Sequence, residues 1–249
     1  MDFKQRLYDK YYTSHYKRFL PRTCSEWKWA VDRIHMNFGE ILCAMPRDSL
    51  VLDVGCGVGY LEYYLLKNGF TRVQAIDICS EQIEVAKQKL LECKLDFEGK
   101  VKFSVENAFE HLRKNTGYDV IAIFDLLEHL TKQEVIDLLE LSYFALSSSG
   151  LLIARVTNAD NLMFGRFFYH DFTHEVLFTP DSMRQCLESV GFEVLKVDYE
   201  KIPDLPRARA RLLGWFKSRV RHFGLAILGK FFGFSPASLS EDLIAVARK

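Results

Sequence analysis

A glycine-rich segment near residue 55 restricts the fold of this chain more than any other feature. Residues 51–60 read Val-Leu-Asp-Val-Gly-Cys-Gly-Val-Gly-Tyr, and a stretch with helical spacing follows. Glycine accepts positive φ values and lets a ligand approach the backbone without meeting a Cβ atom. The segment therefore predicts a buried strand that runs into a ligand-binding turn and opens a helix.

Short apolar runs alternate with helical stretches along the rest of the chain. The predicted strands are residues 50–54, 73–78, 101–105, 118–124, 151–156, 192–197 and 243–246, and the predicted helices are 60–67, 80–93, 132–146 and 181–190. Ser80 and Asp181 occupy positions typical of helix N-caps. Such alternation indicates right-handed βαβ units in one sheet. We therefore predict a doubly wound α/β fold.

Composition and length favour one soluble domain with additions. The 249 residues are 49% hydrophobic and 27% charged, and the start of the chain lacks the apolar run of a secretion signal. We predict a helical cap over residues 1–45, one domain over 46–249 and insertions at 157–180 and 200–240. Long insertions are usually functional. We expect a cytoplasmic protein.

Two acidic residues sharpen the interpretation of the glycine-rich turn. Asp53 precedes the first glycine, and Asp77 ends the next predicted strand. An acid at that second position can accept hydrogen bonds from both hydroxyls of a ribose, so we predict a nucleoside site. A dinucleotide is the alternative, but its motif needs a glycine where Tyr60 stands. Asp53 would also place negative charge near a pyrophosphate.

The residues Asp53, Gly55, Gly57 and Gly59 form a D-x-G-x-G-x-G pattern. This pattern resembles the first motif of class I S-adenosylmethionine-dependent methyltransferases. The resemblance covers roughly residues 45 to 249. It implies S-adenosylmethionine as cofactor and a seven-stranded, mostly parallel, Rossmann-like sheet whose last strand is antiparallel.

The same resemblance implies further cofactor-binding residues. Asp77 and Ile78 would lie beside the ribose, and Asn107 and Ala108 beside the adenine. Asn107 replaces the acid that is usual there, so its amide would bond to the base. Asp125 begins a D-x-x-E-H segment, Asp-Leu-Leu-Glu-His, which lines the methionine half of the cofactor in many small-molecule methyltransferases.

Histidines are the predicted bases for the methyl acceptor. Methyl transfer from a sulfonium is a direct displacement, and a hydroxyl acceptor needs a group that takes its proton. His129 follows the fourth predicted strand, at the edge where α/β sheets bind ligands. His170, Asp171 and His174 cluster in the 157–180 insertion. The alternative for His129 is a purely structural role in packing or capping.

The insertion and the start of the chain also carry a second resemblance. The pattern R-x-x-N, G-R, D-x-T-H, F-T over residues 155–179, together with Tyr8, Tyr12 and His15, resembles methyltransferases of bacterial surface-polysaccharide biosynthesis. It implies O-methylation of a sugar hydroxyl in a glycan or in a lipid- or nucleotide-linked saccharide. His174 or His129 would be the base, and Asp171 would orient it. The predicted substrate-binding residues are Arg155, Asn158, Arg166, His170, Tyr12 and His15.

Three alternatives to this function remain open. The D-x-x-E-H segment also occurs in methyltransferases of aromatic or quinone-like molecules. RNA methylation would use the basic segment described below, but there is no N/D-P-P-Y-like motif and the formal net charge is zero, so we expect no nucleic-acid partner. The third alternative is a cofactor-binding fold without catalysis.

A divalent metal held by Asp125, Asp171 and His174 would be another way to activate a sugar hydroxyl. The spacing of these residues does not require a metal, and the predicted site has none.

A basic segment lies in the second insertion. Residues 206–240 contain seven Lys or Arg and no Asp or Glu. An anionic partner is favoured by such a charge distribution. The segment suits a lid over a phosphorylated substrate or a helix on an anionic membrane, and the alternative is a helical pair that completes the core. We predict peripheral contact with the inner face of the cell membrane.

Overall fold

The computed structural model describes residues 17, 24–161, 163–202, 224 and 240–249. The predicted contacts of Tyr12 and His15 and nearly all of the basic 206–240 segment lie outside these residues. Among the residues described, no helix is long and apolar enough to cross a membrane.

Seven strands form one mixed sheet. They are β1 Leu50–Val54, β2 Arg72–Asp77, β3 Val101–Val105, β4 Tyr118–Phe124, β5 Leu146–Thr157, β6 Glu193–Tyr199 and β7 Asp242–Arg248. Their spatial order is β3-β2-β1-β4-β5-β7-β6. The first five strands run parallel, and β7 is antiparallel to both β5 and β6. This confirms the predicted doubly wound sheet with an antiparallel last strand.

Helices cover the sheet. They are α1 Cys24–Ala44, α2 Tyr60–Lys67, α3 Ser80–Glu92, α4 Ala108–Lys114, α5 Lys132–Ala145, α6 Phe164–His170 and α7 Pro180–Val190, with a 3-10 turn at Leu127–His129. The sequence did not predict α4 and α6, which have 7 residues each and are too short for a clear periodicity.

The two predicted N-caps were wrong by one or two residues. Cys79 occupies the cap position of α3, and Ser80 is the first residue of that helix. The Thr179 hydroxyl caps α7 by accepting a bond from the Ser182 amide, so Asp181 lies inside the first turn. Pro180 at the first helical position lacks the N–H that the first turn leaves unpaired, which is why the helix starts there.

Apolar residues on both faces of the sheet form two hydrophobic clusters. Successive residues of β1 point to opposite sides, with Val51 in one cluster and Leu52 in the other. On the Val51 side, Phe38 of α1 stacks on Phe124 with 4.9 Å between ring centroids. Each such buried side chain stabilises the fold by about 1.5–3 kcal/mol. The core therefore holds the strands firmly, and polar residues gather at their carboxyl ends.

Candidate active site

The glycine-rich turn and the tip of β2 form one bonded unit. The amides of Gly55 and Cys56 both donate to the Ile76 carbonyl, at 2.9 and 3.0 Å. The Asp77 carboxylate accepts bonds from the Gly57 amide at 2.9 Å and from the Cys79 amide at 2.8 Å. Burial raises the pKa of Asp77 although these amide bonds oppose the shift. The carboxylate is thus fixed above the turn, where the sequence predicted a ribose.

Gly59 shows why the motif needs its last glycine. Its φ of 87° is in the left-handed region, and a Cβ atom there would lie 2.9 Å from the Ala86 Cβ. A side chain would therefore be strained and would force α2 away from α3.

Exposed apolar side chains flank Asp77. Val105 pairs with Asp77 across strands β2 and β3, and Ile78 follows Asp77 directly. Their side chains are 55% and 64% exposed, which is unusual for large aliphatic residues that end buried strands. A flat base such as adenine could lie against these apolar side chains, while the ribose attached to it donates hydrogen bonds to the Asp77 carboxylate. The residues present therefore suit an adenosine-containing cofactor.

The structure gives Asn107 a role that the sequence did not predict. Its side-chain oxygen accepts bonds from the amides of Phe109 and Glu110, at 3.0 and 3.3 Å, and so caps α4. Ala108 is the first residue of that helix. The amide oxygen of Asn107 is therefore occupied by the helix terminus, and contact with adenine remains a prediction for both residues.

A buried carboxyl pair lies beneath the glycine-rich turn. Asp53 ends β1 and Glu62 lies on α2, and both side chains are almost inaccessible to solvent. Burial raises the pKa of Asp53 to about 7, and burial together with the Asp53 charge raises the pKa of Glu62 well above its ordinary value. The two carboxyl groups influence each other's titration, because two buried like charges repel. Sequence reasoning missed Glu62, because its place on a helix face resembles that of any exposed acid.

Arg155 and Asp125 form an ion pair with each other. The guanidinium makes two bonds to the Asp125 carboxylate, and it lies 3.5 Å from Glu200. Desolvation would raise the pKa of Asp125, but Arg155 outweighs it and holds that pKa below its usual value. The sequence had assigned Arg155 to the substrate and Asp125 to the cofactor. The Arg155 side chain pairs with Asp125 and with the buried Glu200, so its predicted contact with substrate stays a prediction.

The network continues to the N-terminal helix. Arg33 of α1 bonds to Glu200 and, at 2.7 Å, to Asp242 at the start of β7. Burial and the nearby acids raise the pKa of Asp242 to about 7. Arg33, Glu200 and Asp242 were not predicted from the sequence, since the two acids and the arginine lie on elements far apart along the chain.

Asn158 also has a structural role. Its side-chain nitrogen donates to the Ser240 carbonyl at 2.9 Å, and its oxygen accepts from the Asp160 amide at 2.9 Å. Each end of this amide thus has one protein partner, and the substrate contact of Asn158 stays a prediction. Arg166 and His170 lie on α6 with exposed side chains, so their predicted role stays open.

The structure brings the three predicted catalytic residues together. One nitrogen or oxygen atom from each of His129, Asp171 and His174 lies within 4.8 Å of the other two. The imidazole rings of His129 and His174 are 4.7 Å apart between centroids. The prediction placed these residues in one site from two separate segments, and their proximity is confirmed.

Thr173 connects His129 to Asp171. Its hydroxyl lies 2.8 Å from His129 Nδ1 and donates to Asp171 Oδ1 at 2.7 Å. Because a hydroxyl has one hydrogen, His129 Nδ1 must donate to it, which leaves the lone pair on Nε2. Desolvation, and then His174, lower the pKa of His129 to about 4, so the ring is neutral at neutral pH. The ring can therefore accept a proton or bind a cation.

Backbone bonds hold this cluster near the glycine-rich turn. The amides of Glu175 and Val176 donate to the Glu128 carbonyl, at 2.7 and 3.2 Å, and fix the loop against the 3-10 turn. Leu126 directly precedes the 3-10 turn, and its side chain packs over Gly55. A Cβ atom built on Gly55 would lie 3.3 Å from this side chain. The histidine cluster and the predicted cofactor site therefore adjoin at the carboxyl ends of β4 and β1.

Comparison with known proteins agrees with this architecture. A family described as "Methyltransferase domain" matches residues 16–197. A SAM dependent methyltransferase from Archaeoglobus fulgidus superimposes with a TM-score of 0.65 at 19% identity, over 100% of both chains. Magnesium protoporphyrin IX methyltransferase from Synechocystis PCC 6803 with bound SAM gives a TM-score of 0.62 at 15% identity, over 100% of this chain and 98% of that one.

A curated relative matches over a shorter region. The ubiquinone biosynthesis O-methyltransferase of Escherichia coli O7:K1 (strain IAI39 / ExPEC) is 38% identical over 81 residues, which are 32% of each chain. The chain thus matches about a third of the length of such relatives.

Fold, site and comparisons define an S-adenosylmethionine-dependent methyltransferase of the doubly wound class. The chain belongs to the family described as a methyltransferase domain, which matches it over residues 16–197. Its cofactor is S-adenosylmethionine, and Asp77 with the glycine-rich turn fits the adenosine half.

Proposed function

We propose that this enzyme methylates a sugar hydroxyl of a glycan, or of a lipid- or nucleotide-linked saccharide. The observation that carries the proposal is the His129–Thr173–Asp171 chain of hydrogen bonds beside His174. An acceptor that is a hydroxyl requires a proton acceptor near the methyl donor, and this cluster provides neutral imidazole.

The proton has a defined path in this proposal. The acceptor hydroxyl gives its proton to His174 or to Nε2 of His129, and the ring becomes an imidazolium. Asp171 then stabilises the positive charge, through Thr173 in the case of His129. S-adenosylmethionine held by Asp77 and the glycine-rich turn would supply the methyl group, and the electron pair of its carbon–sulfur bond would stay on sulfur as the oxygen–carbon bond forms.

Exposed aromatic residues near the cluster support a sugar as acceptor. Tyr169 and Phe172 flank His170 and Asp171, and their side chains are 74% and 76% exposed. Aromatic faces pack well against flat, partly apolar ligands, while Arg166 and His170 can donate to hydroxyls. The aromatic side chains could pack against the C–H faces of a saccharide, and the two donors could bond to the hydroxyls at its edges.

An aromatic or quinone-like hydroxyl is the second candidate acceptor. The 81-residue similarity to ubiquinone biosynthesis O-methyltransferase favours it. The same exposed aromatic side chains could stack on an aromatic ring. This candidate needs less help from a base, because a phenol gives up its proton more readily than a sugar hydroxyl.

Transfer of a radiolabelled methyl group distinguishes these candidates. Extracted lipid-linked glycans, quinone precursors and RNA would each be incubated with the enzyme and labelled cofactor. We expect label in the glycan fraction, at a position that alkali does not cleave as an ester. Label in the quinone fraction alone would establish the second candidate, and label in RNA alone would contradict both.

We further propose that the 206–240 segment contacts anionic lipid at the cytoplasmic face of the membrane. The supporting feature is its seven basic residues without a single acid. Replacing Arg207, Arg209 and Arg211 by glutamine should reduce co-sedimentation with anionic vesicles. Equal sedimentation would leave the segment as a lid or as part of the core.

A further inference from the structure

We infer that His129, Asp171 and His174 form a binding site for a divalent transition-metal ion. One ligand atom from each residue lies within 4.8 Å of the other two. Two imidazoles and one carboxylate on converging segments form a donor set suited to zinc, cobalt, iron or manganese. Occupancy of this site does not depend on the acceptor, whereas its chemical use rests on the proposed function.

The distances require only small adjustments. Zinc–nitrogen and zinc–oxygen bonds of about 2.0–2.2 Å place ligand atoms about 3–4 Å apart. The 4.8 Å limit holds for one ring nitrogen of each histidine and one carboxylate oxygen, which must approach by about 1–2 Å; side-chain rotations can provide this shift and direct Nε2 of His129 to the ion. Asp171 is buried and the two histidines are half-buried, so the site is shielded but reachable.

The hydrogen bonds of Thr173 prepare His129 for this role. A metal-binding histidine commonly donates its other ring N–H to a carboxylate, a carbonyl or a water, which fixes the ring and its tautomer. Here Nδ1 donates to the Thr173 hydroxyl at 2.8 Å, and that hydroxyl donates to Asp171. Nε2 of His129 therefore carries the lone pair for a metal ion. Asp171 Oδ1 also accepts from the Thr173 amide at 2.9 Å, which fixes the carboxylate.

The structure changes the ligand set that the sequence had suggested. The Asp125 carboxylate is held by two bonds from Arg155. Its charge is neutralised there, so it is a poor metal ligand. His129, four residues later, takes its place in the cluster.

The ion would take over the activation of the acceptor. A hydroxyl bound to a divalent cation loses its proton more readily, because the cation stabilises the alkoxide. The proton would pass to water, and the two imidazoles would act as ligands instead of bases. Three protein ligands leave a coordination position for the hydroxyl, as in catalytic zinc sites.

Cobalt(II) titration of the full chain, without a histidine tag and after treatment with a chelator, tests the site. Visible absorption of the bound ion reports its coordination, and calorimetry gives the stoichiometry. We expect one equivalent bound. His174→Ala and Asp171→Asn should each weaken cobalt binding at least about tenfold, and Thr173→Val, which keeps all three ligands, should weaken it by about 10–100-fold. His35→Ala, which removes an exposed histidine of α1, is the control and should bind cobalt as the wild type does.

Adenosylhomocysteine binding, measured on each preparation, separates failure of the site from failure of the protein. A wild-type chain that binds adenosylhomocysteine but no stoichiometric cobalt would overturn the metal site and leave the proposed function standing. Cobalt affinity that is unchanged in both His174→Ala and Asp171→Asn would overturn it as well. Cobalt bound as expected, with no methyl transferred to any hydroxyl, would support the site and contradict the proposed function.

Discussion

The cofactor side and the acceptor side of this site lie at one edge of the same sheet but are built differently. The cofactor side is a continuous turn, residues 53–59, closed by Asp77 through a bond to the Gly57 amide. The acceptor side joins side chains from distant segments, with His129 and Thr173 separated by 44 positions. The first is determined by backbone conformation, the second by tertiary packing. Substitutions should therefore separate cofactor binding from turnover.

The largest expected effect is on the acceptor side. His174→Ala should lower turnover by about 10²–10⁴-fold, because the acceptor hydroxyl loses the group that takes its proton or holds an activating ion. Affinity for adenosylhomocysteine should not change. Turnover measured with labelled cofactor, together with calorimetry, checks both. His35→Ala, an exposed histidine on α1, is the control. Full turnover of His174→Ala would assign the base to His129.

Loss of the ion pair between Arg155 and the buried Glu200 should affect stability next most strongly. Arg155→Met leaves Glu200, which is 1% exposed, without one of its two cationic neighbours, and it leaves Asp125 unpaired. Removing one member of a buried network costs about 3–5 kcal/mol. Urea unfolding measures the change. Arg248→Met, which removes an exposed pair with Glu193, should cost less than about 1 kcal/mol. An equal loss of unfolding free energy in Arg155→Met and Arg248→Met would show that the network of Arg155 does not stabilise the fold.

On the cofactor side, Asp77→Ala should weaken adenosylhomocysteine binding by about 10–100-fold, since hydrogen bonds to a charged group contribute about 1.5–3 kcal/mol. Calorimetry on the variant checks this, with Asp96→Ala as an exposed control whose carboxylate pairs with Lys100 and accepts from the Glu98 amide. Circular dichroism should show an intact fold. Unchanged affinity would remove the ribose assignment.

The carboxyl pair beneath the turn should give the smallest effect, a pH dependence of stability. The pKa of Glu62 is raised by burial and by Asp53, so the folded protein keeps a proton that the unfolded chain has lost. The contribution of Glu62 to the free energy of unfolding is fully present below the ordinary pKa of a glutamate and declines as the pH rises above it. Glu62→Gln should make the free energy of unfolding depend less steeply on pH above the ordinary pKa of a glutamate.

Urea unfolding across that range measures the slope. Glu84→Gln, which changes an exposed acid of α3, should leave it as in the wild type. An identical slope for wild type and Glu62→Gln would show that Glu62 is ionised in the folded protein.

Much of the fold could be predicted from the sequence. Strands β1, β3 and β4 have the predicted bounds, because nearly continuous apolar runs mark buried parallel strands. The seven-residue helices α4 and α6 could not be recognised, since fewer than two helical turns give little periodicity.

The sequence predicted which segments meet at the site better than it predicted the partners of single polar side chains. His129, Asp171 and His174 were grouped correctly, because the insertion follows β5 at the carboxyl edge of the sheet. Arg155 and Asn158 were assigned to substrate, yet they bond to Asp125 and to the Ser240 carbonyl. A polar side chain at this edge can serve a ligand or the protein itself. Only its partners, which lie up to 82 positions away, distinguish the two.

A crystal structure with adenosylhomocysteine and a candidate saccharide would test the central claim most directly, that cofactor and acceptor sites adjoin across the tips of β1 and β4. We predict ribose hydroxyls on Asp77, adenine between Ile78 and Val105, and the sulfur directed towards His129 and His174 with a sugar hydroxyl between. A nucleoside bound away from Asp77, or a sulfur facing away from the two histidines, would contradict the account.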